Sequence, residues 1–178
     1  RLHDKLVRHL PLKDDSDRRG WEWYYLYSQC HPEERSHYCR SFALYAAWSP
    51  DGKYIASSGA VWAAKSGECI RLFAPSIAQM YQCAWSPDSN LVAWSTFNQE
   101  GAWVWDRRTD ELRRFKGHAS SVWPLEFSPD GRKLATGSID ESVKIWDVAS
   151  GAVVRTIPAL NGIVGDLAWS PDGELLAV

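Results

Sequence analysis

A five-residue phrase recurs along this 178-residue chain, and no other feature limits the fold as strongly. W-S-P-D-G stands at Trp48–Gly52 and again at Trp169–Gly173. Near copies are W-S-P-D-S at Trp85–Ser89 and F-S-P-D-G at Phe127–Gly131. The aromatic positions 48, 85, 127 and 169 are separated by 37, 42 and 42 residues. A second landmark follows the first three copies at Trp62, Trp105 and Trp146, and the last two are W-D pairs with Asp106 and Asp147. A period near 40 residues is the signature of stacked supersecondary units. It also accounts for most of the 11 tryptophans, since those at 48, 62, 85, 105, 146 and 169 are repeat landmarks.

The third copy, from Gly117 to about Pro158, shows what the unit is. Ser121–Phe127 alternates as a strand, and Ser128-Pro129-Asp130-Gly131 makes a turn, with proline's fixed φ at the second position and glycine closing it. Lys133–Ser138 reads as a second strand, with Asp140 in the next turn. Ser142–Trp146 carries the β-branched Val143 and Ile145 and reads as a third strand. Ser150-Gly151 turns the chain into a fourth at Ala152–Ile157. Such a sheet has two faces to bury and is not stable alone. Repetition around an axis buries both faces, which is the logic of a β-propeller.

Gly117-His118, L-A-T-G-S-I-D at Leu134–Asp140 and V-K-I-W-D at Val143–Asp147 together resemble a full repeat of the WD-repeat propeller family. Partial matches extend from residue 43 to 178. The resemblance implies an all-β, partial WD-repeat β-propeller, with repeats at about 43–76, 77–116, 117–160 and a truncated 161–178. It also implies a buried hydrogen-bonded set of His118, Thr136 or Ser138, Asp140 and Trp146. Such a set suits the rule that buried polar groups need partners. His118 and Asp140 also suit acid–base catalysis, but the structural role is the expected one.

The repeats are unequal. Gly131 precedes Trp146 by 15 residues and Ser89 precedes Trp105 by 16, but Gly52 precedes Trp62 by only 10. Blade one is therefore expected to be degenerate, with Ser57-Ser58-Gly59 bridging directly, no Asp-bearing turn and much of strand three missing. The second repeat lacks the G-H pair and has Asn98-Gln99-Glu100-Gly101 where the Asp turn belongs, so its polar set is expected to be incomplete. Three four-stranded blades plus half of a fourth fall short of a closed ring, and further blades are expected after Val178.

Residues 1–42 carry mixed charge and no repeat. Leu2, Leu6 and Leu10 recur at helical spacing before Pro11, so a short helical junction and linker is expected there. Trp21, Tyr24, Tyr25 and Ser28 fall on one helical face, and an outer, ring-closing strand is read at Ser36–Phe42. R-G-W-E-W-Y-Y-L at Arg19–Leu26, followed by Cys30-His31, is similar to the junction ahead of WD repeats in planctomycete-type bacterial proteins. Many of those carry an N-terminal Ser/Thr kinase domain.

Composition closes off several functions. A net charge of −2 argues against a dedicated nucleic-acid binder, and no apolar run approaches the roughly 20 residues of a membrane helix. With no secretion signal, Cys30, Cys39, Cys69 and Cys83 are read as reduced thiols and the location as cytoplasmic. Cys30, His31, His37 and Cys39 cluster without the spacing of a zinc finger, so no metal site is expected, and no cofactor. No glycine-rich phosphate loop, H-R-D, D-F-G or G-x-S-x-G motif is present, so no catalytic residue is assigned.

The resemblance implies a protein-interaction scaffold. In that family, partners dock where the innermost strands begin, around the central channel. The residue after each first strand's opening apolar position points there: Trp123 in the best repeat, aligned with Leu44, Tyr81 and Gly165. Ile139 borders the same face. Exposed Trp and Tyr are interface anchors, although Trp123 is equally suited to packing over its neighbouring blade. The alternative is the regulatory or substrate-recruiting propeller of a bacterial Ser/Thr kinase whose catalytic domain lies upstream.

Overall fold

A computed structural model describes residues 45–57, 59–73, 80–97, 101–158 and 162–178, all within the unit Cys39–Val178. The proposed helix before Pro11, the aromatic junction, the Cys/His cluster at 30–39, the strand at 36–42 and Leu44 lie outside these residues. Described strands fall into three four-stranded antiparallel sheets and one pair. Blade one is β1 (Ala46–Trp48), β2 (Tyr54–Ser57), β3 (Ala60–Ala63) and β4 (Cys69–Leu72). Blade two is β5 (Met80–Trp85), β6 (Leu91–Thr96), β7 (Gly101–Asp106) and β8 (Glu111–Lys116). Blade three is β9 (Val122–Phe127), β10 (Lys133–Ser138), β11 (Val143–Asp147) and β12 (Val153–Ile157). The pair β13 (Ala168–Trp169) and β14 (Leu176–Ala177) begins a fourth. In each blade the strands follow one another in order, as in a meander.

The S-P-D phrase builds the same turn four times. Its closing residue donates its N–H to the serine carbonyl at 2.8–2.9 Å in all four, at Gly52, Ser89, Gly131 and Gly173. The serine hydroxyl accepts the N–H five residues on, at Tyr54, Leu91, Lys133 and Leu175, and donates to the turn aspartate. The closing residue has φ between 60° and 73°, a region that favours glycine. Ser89 tolerates it in blade two, and its hydroxyl accepts the Asp51 N–H of blade one at 3.0 Å. The non-glycine residue thus stitches two blades together.

Blade one corrects one expectation. The shortened repeat lacks the Asp-bearing turn, as its length requires, but strand three survives. Ala60–Ala63 pairs with β2 from Tyr54↔Ala63 to Ser57↔Ala60, and with β4 on its other edge. The deletion falls on the turn and the strand ends, because loss of a central strand would leave two unpaired edges.

First strands of successive blades pack directly on one another, β1 on β5, β5 on β9 and β9 on β13, which makes them the innermost layer. Apolar clusters fill the spaces between blades. Trp85, Val92, Trp94 and Trp105 meet Ala56, Val61 and Phe73, whereas Leu91, Ala93, Val104 and Phe115 meet Leu125, Phe127, Leu134 and Trp146. The landmark tryptophans also stitch across blades. Trp85 donates its indole N–H to the Ala47 carbonyl at 3.0 Å, and Trp169 donates to that of Glu126 at 3.3 Å. Gly137 is required by close approach, since a Cβ there would lie 2.4 Å from Val164 Cγ1.

Candidate functional site

Two places gather the residues that sequence reasoning singled out. The first is a buried relay within blade three. Trp146, on β11, donates its indole N–H to Thr136 Oγ1 on β10 at 2.7 Å. Thr136 Oγ1 lies 2.8 Å from His118 Nε2, and His118 Nδ1 lies 2.9 Å from Asp140 Oδ2. An ionised carboxylate only accepts, so Nδ1 carries the proton and Nε2 accepts from Thr136. Asp140 also accepts the Ala119 N–H at 2.7 Å, the Ser142 N–H at 3.0 Å and the Ser142 hydroxyl. Ser138 takes a different part: its hydroxyl donates to the Ser121 carbonyl at 2.9 Å and accepts the Asp140 N–H at 3.0 Å.

Burial sets the charge state of this relay. It pushes the His118 imidazole below its ordinary pKa, outweighing the upward pull of the Asp140 carboxylate, so the ring is neutral near pH 7. For Asp140 burial acts upward, but hydrogen bonds from Ser142, the Ala119 N–H and His118 prevail and hold it at about 2. Hydroxyl, imidazole and carboxylate follow one another as in a nucleophilic triad. Thr136 is nevertheless 0% exposed, its oxygen already accepts from Trp146, and the His118 side chain is sealed. No substrate atom can reach the hydroxyl, so this arrangement positions strands and does not carry out chemistry.

The second place is the end of the blades where the innermost strands begin, the start face. Trp123 is 40% exposed there, although Val122, Pro124, Leu125 and Phe127 of the same strand are buried. Its ring lies 5.7 Å from that of Tyr81 across the blade boundary, and Tyr81 lies 5.3 Å from Phe97. Trp123 therefore touches the neighbouring blade and remains open to solvent. Sequence reasoning missed Phe97, which precedes Ile139 by 42 residues and occupies its place in the second repeat; the period alone was sufficient to find it. Ile139 is half-buried, its N–H bonded to the Ser121 carbonyl at 3.0 Å. Gly165, aligned with Trp123, has nothing within 4 Å of where a Cβ would stand.

Elsewhere little converges. Cys83 is buried, its thiol pushed up to about 12 by burial, with Sγ directed at the Ala56 carbonyl at 3.3 Å. Such a thiol is unreactive. A cleft of about 580 Å³ is lined by Asp130, Arg132, Lys133, Asp147, Arg155 and Glu174 among others, with charges of both signs and no hydroxyl or thiol. Among the described residues, no group of three or more His, Cys, Asp or Glu is placed to hold a metal, and no helix is long and apolar enough to cross a membrane.

Comparison with known proteins agrees with the blade geometry. Residues 109–147 match the family described as "WD domain, G-beta repeat". The chain is 29% identical over 202 residues to apoptotic protease-activating factor 1 of Rattus norvegicus, covering 98% of this chain and 15% of that protein. It is 31% identical over 153 residues to protein groucho of Drosophila melanogaster, covering 82% of this chain and 20% of that one. The chain thus spans a fifth or less of the length of these curated relatives. Among solved structures, the WD40 repeats of RRP9 superpose with a TM-score of 0.66 at 23% identity, covering 75% of this chain and 43% of that chain. Residues 109–147 are a WD repeat, and the described blades have the fold of a WD40-repeat β-propeller.

Proposed function

We propose that this chain is a non-catalytic protein-interaction module whose partner docks on the start face, over Tyr81, Phe97, Trp123 and Ile139. The observation that carries this reading is Trp123, left open to solvent between the buried Val122 and Pro124 of its own strand. A large rigid aromatic that touches its neighbour yet keeps an exposed ring suits an interface anchor. Similarity to WD40-repeat proteins supports an interaction scaffold, and the sealed relay offers no competing chemistry.

The test is partner capture by the full-length protein carrying Trp123→Ala and Tyr81→Ala. Capture is expected to fall about tenfold or more, on the scale of interface hot spots, with circular dichroism unchanged. Unchanged capture by a folded variant overturns the assignment. The kinase-tail alternative rests on the resemblance of Arg19–Leu26. A glycine-rich loop and an H-R-D motif in the reading frame upstream of Arg1 would favour it.

A further inference from the structure

The described connections at both ends of the blades are acidic on balance, and they differ in where basic residues stand. Connections at the S-P-D end carry Lys53, Lys65, Arg107, Arg108 and Arg132 among their carboxylates. At the start face the described connections are 59, 73, 97, 117–121, 139–142, 158 and 162–167. They hold Asp140, Glu141 and Asp166, with no lysine or arginine. Lys116 ends β8 and Lys144 stands near the beginning of β11 on the outer part of this end, Lys144 acting on the His118 ring and bonded to Thr156 at 3.1 Å. His118 is buried and neutral.

Glu141 and Asp166 are exposed, and neither forms an ion pair among the described residues. On β9, burial pushes the Glu126 carboxyl up, the Trp169 N–H at 2.8 Å pulls it down, and the Asp166 charge adds to the rise. Asp166 thus acts on Glu126, which lies near the S-P-D end of β9 against Trp169 and does not belong to the start face. Gly165, next to Asp166 in the chain, has nothing within 4 Å of where a Cβ would stand, and Trp123 leaves its ring exposed at the same end of the blades. The rings of Tyr81, Phe97 and Trp123 lie 5.3–5.7 Å apart, already in mutual contact, so they form a platform and not a cage around a ligand. A cationic side chain on an apolar stem fits both features, with its charge over an aromatic face and near carboxylates.

From this charge complementarity, and resting on the start-face reading above, we propose that the partner is a basic peptide segment. Its lysine or arginine lies on the Trp123 platform, and its backbone crosses the open floor at Gly165 toward Asp166. Charge complementarity of this kind governs specificity and salt dependence more than it governs total affinity.

Three capped peptides with identical Gly/Leu spacing and either Lys, Ser or Glu at the remaining positions distinguish the outcomes, with the full chain titrated by each. The Lys peptide is expected to bind about tenfold or more tighter than the Glu peptide, and to lose affinity severalfold between low and high salt. Asp166→Asn is expected to weaken it about two- to fivefold and to flatten the salt dependence, as for an exposed ion pair. Gly165→Phe fills the floor without backbone strain and is expected to abolish binding while the melting temperature holds. If the Ser or Glu peptide binds as well as the Lys peptide and Trp123→Ala still removes binding, the basic chemistry is wrong and the face stands. If binding ignores Trp123→Ala and Gly165→Phe alike, the face itself is wrong. Failure of the Lys peptide to bind below ~1 mM overturns the proposal as well.

Discussion

Blades two and three share a strand order and the irregular pairing of their first two strands, yet they are held together by different means. In blade three, β10 and β11 are joined through the relay from Trp146 to Thr136, His118 and Asp140. Trp94 occupies the position of Thr136 in blade two, 42 residues earlier, and it is fully buried. Phe73 meets it edge-on with ring centres 4.8 Å apart and stands 5.7 Å from Trp105. Deprived of a threonine, Trp105 turns its indole N–H to Asp110 in the β7–β8 turn at 2.9 Å. Trp94 Nε1 has no hydrogen-bond partner, which costs about 1–3 kcal/mol, and the buried aromatic area offsets it. The strand order and the landmark tryptophan are common to both blades. What fastens the outer strands is interchangeable between a polar relay and an aromatic plug.

The largest expected effect comes from forcing one solution onto the other. Trp94→Thr should lower stability by about 3–5 kcal/mol in chemical denaturation, because it empties a buried site. Ser76 aligns with His118, so no imidazole is available to complete a relay. A loss below about 1 kcal/mol would mean that the aromatic plug is dispensable.

An intermediate effect separates the two aspartates. Asp140→Asn leaves one oxygen for donors from His118, Ala119 and Ser142, and should cost about 2–4 kcal/mol. Asp110→Asn keeps an acceptor for Trp105 and should cost less than about 1 kcal/mol. Equal losses would break the distinction between the blades.

The smallest effect is that of pH. His118 has a folded pKa depressed below its ordinary 6.5, so the folded chain binds fewer protons than the unfolded one. Its contribution is fully present above pH 6.5 and is lost as pH falls below that value. Asp140 adds a further loss between about 3.8 and about 2. The melting temperature should drop by a few degrees between pH 7.5 and 5.5, and His118→Gln should flatten that slope. A melting temperature that rises on acidification would show the imidazole to be charged in the folded state.

Much of this was legible from residue spacing. The turns at Ser49, Ser86, Ser128 and Ser170, the strands of the third repeat to within a residue and the order of strands in each blade follow from the period and from local turn chemistry. The choice between Thr136 and Ser138 was not legible. Both hydroxyls lie on β10, and only the packed sheet shows which one faces Trp146. Survival of β3 in the short first repeat was likewise invisible to counting, because spacing tells how many residues are missing and not where the chain absorbs the loss. The alternate acceptor for Trp105 depended on Asp110 reaching back from its turn, a contact fixed by backbone geometry.

The sequence by itself determined the repeating unit, its turns and its strand order, because these depend on interactions within a few residues and on a hydrophobic period. Tertiary structure decided which polar groups meet, how Ser89 and Trp85 stitch adjacent blades, and which aromatic rings stay open to solvent. Those outcomes depend on how one sheet lies against the next, and residues some 40 positions apart acquire neighbours only once the blades are stacked.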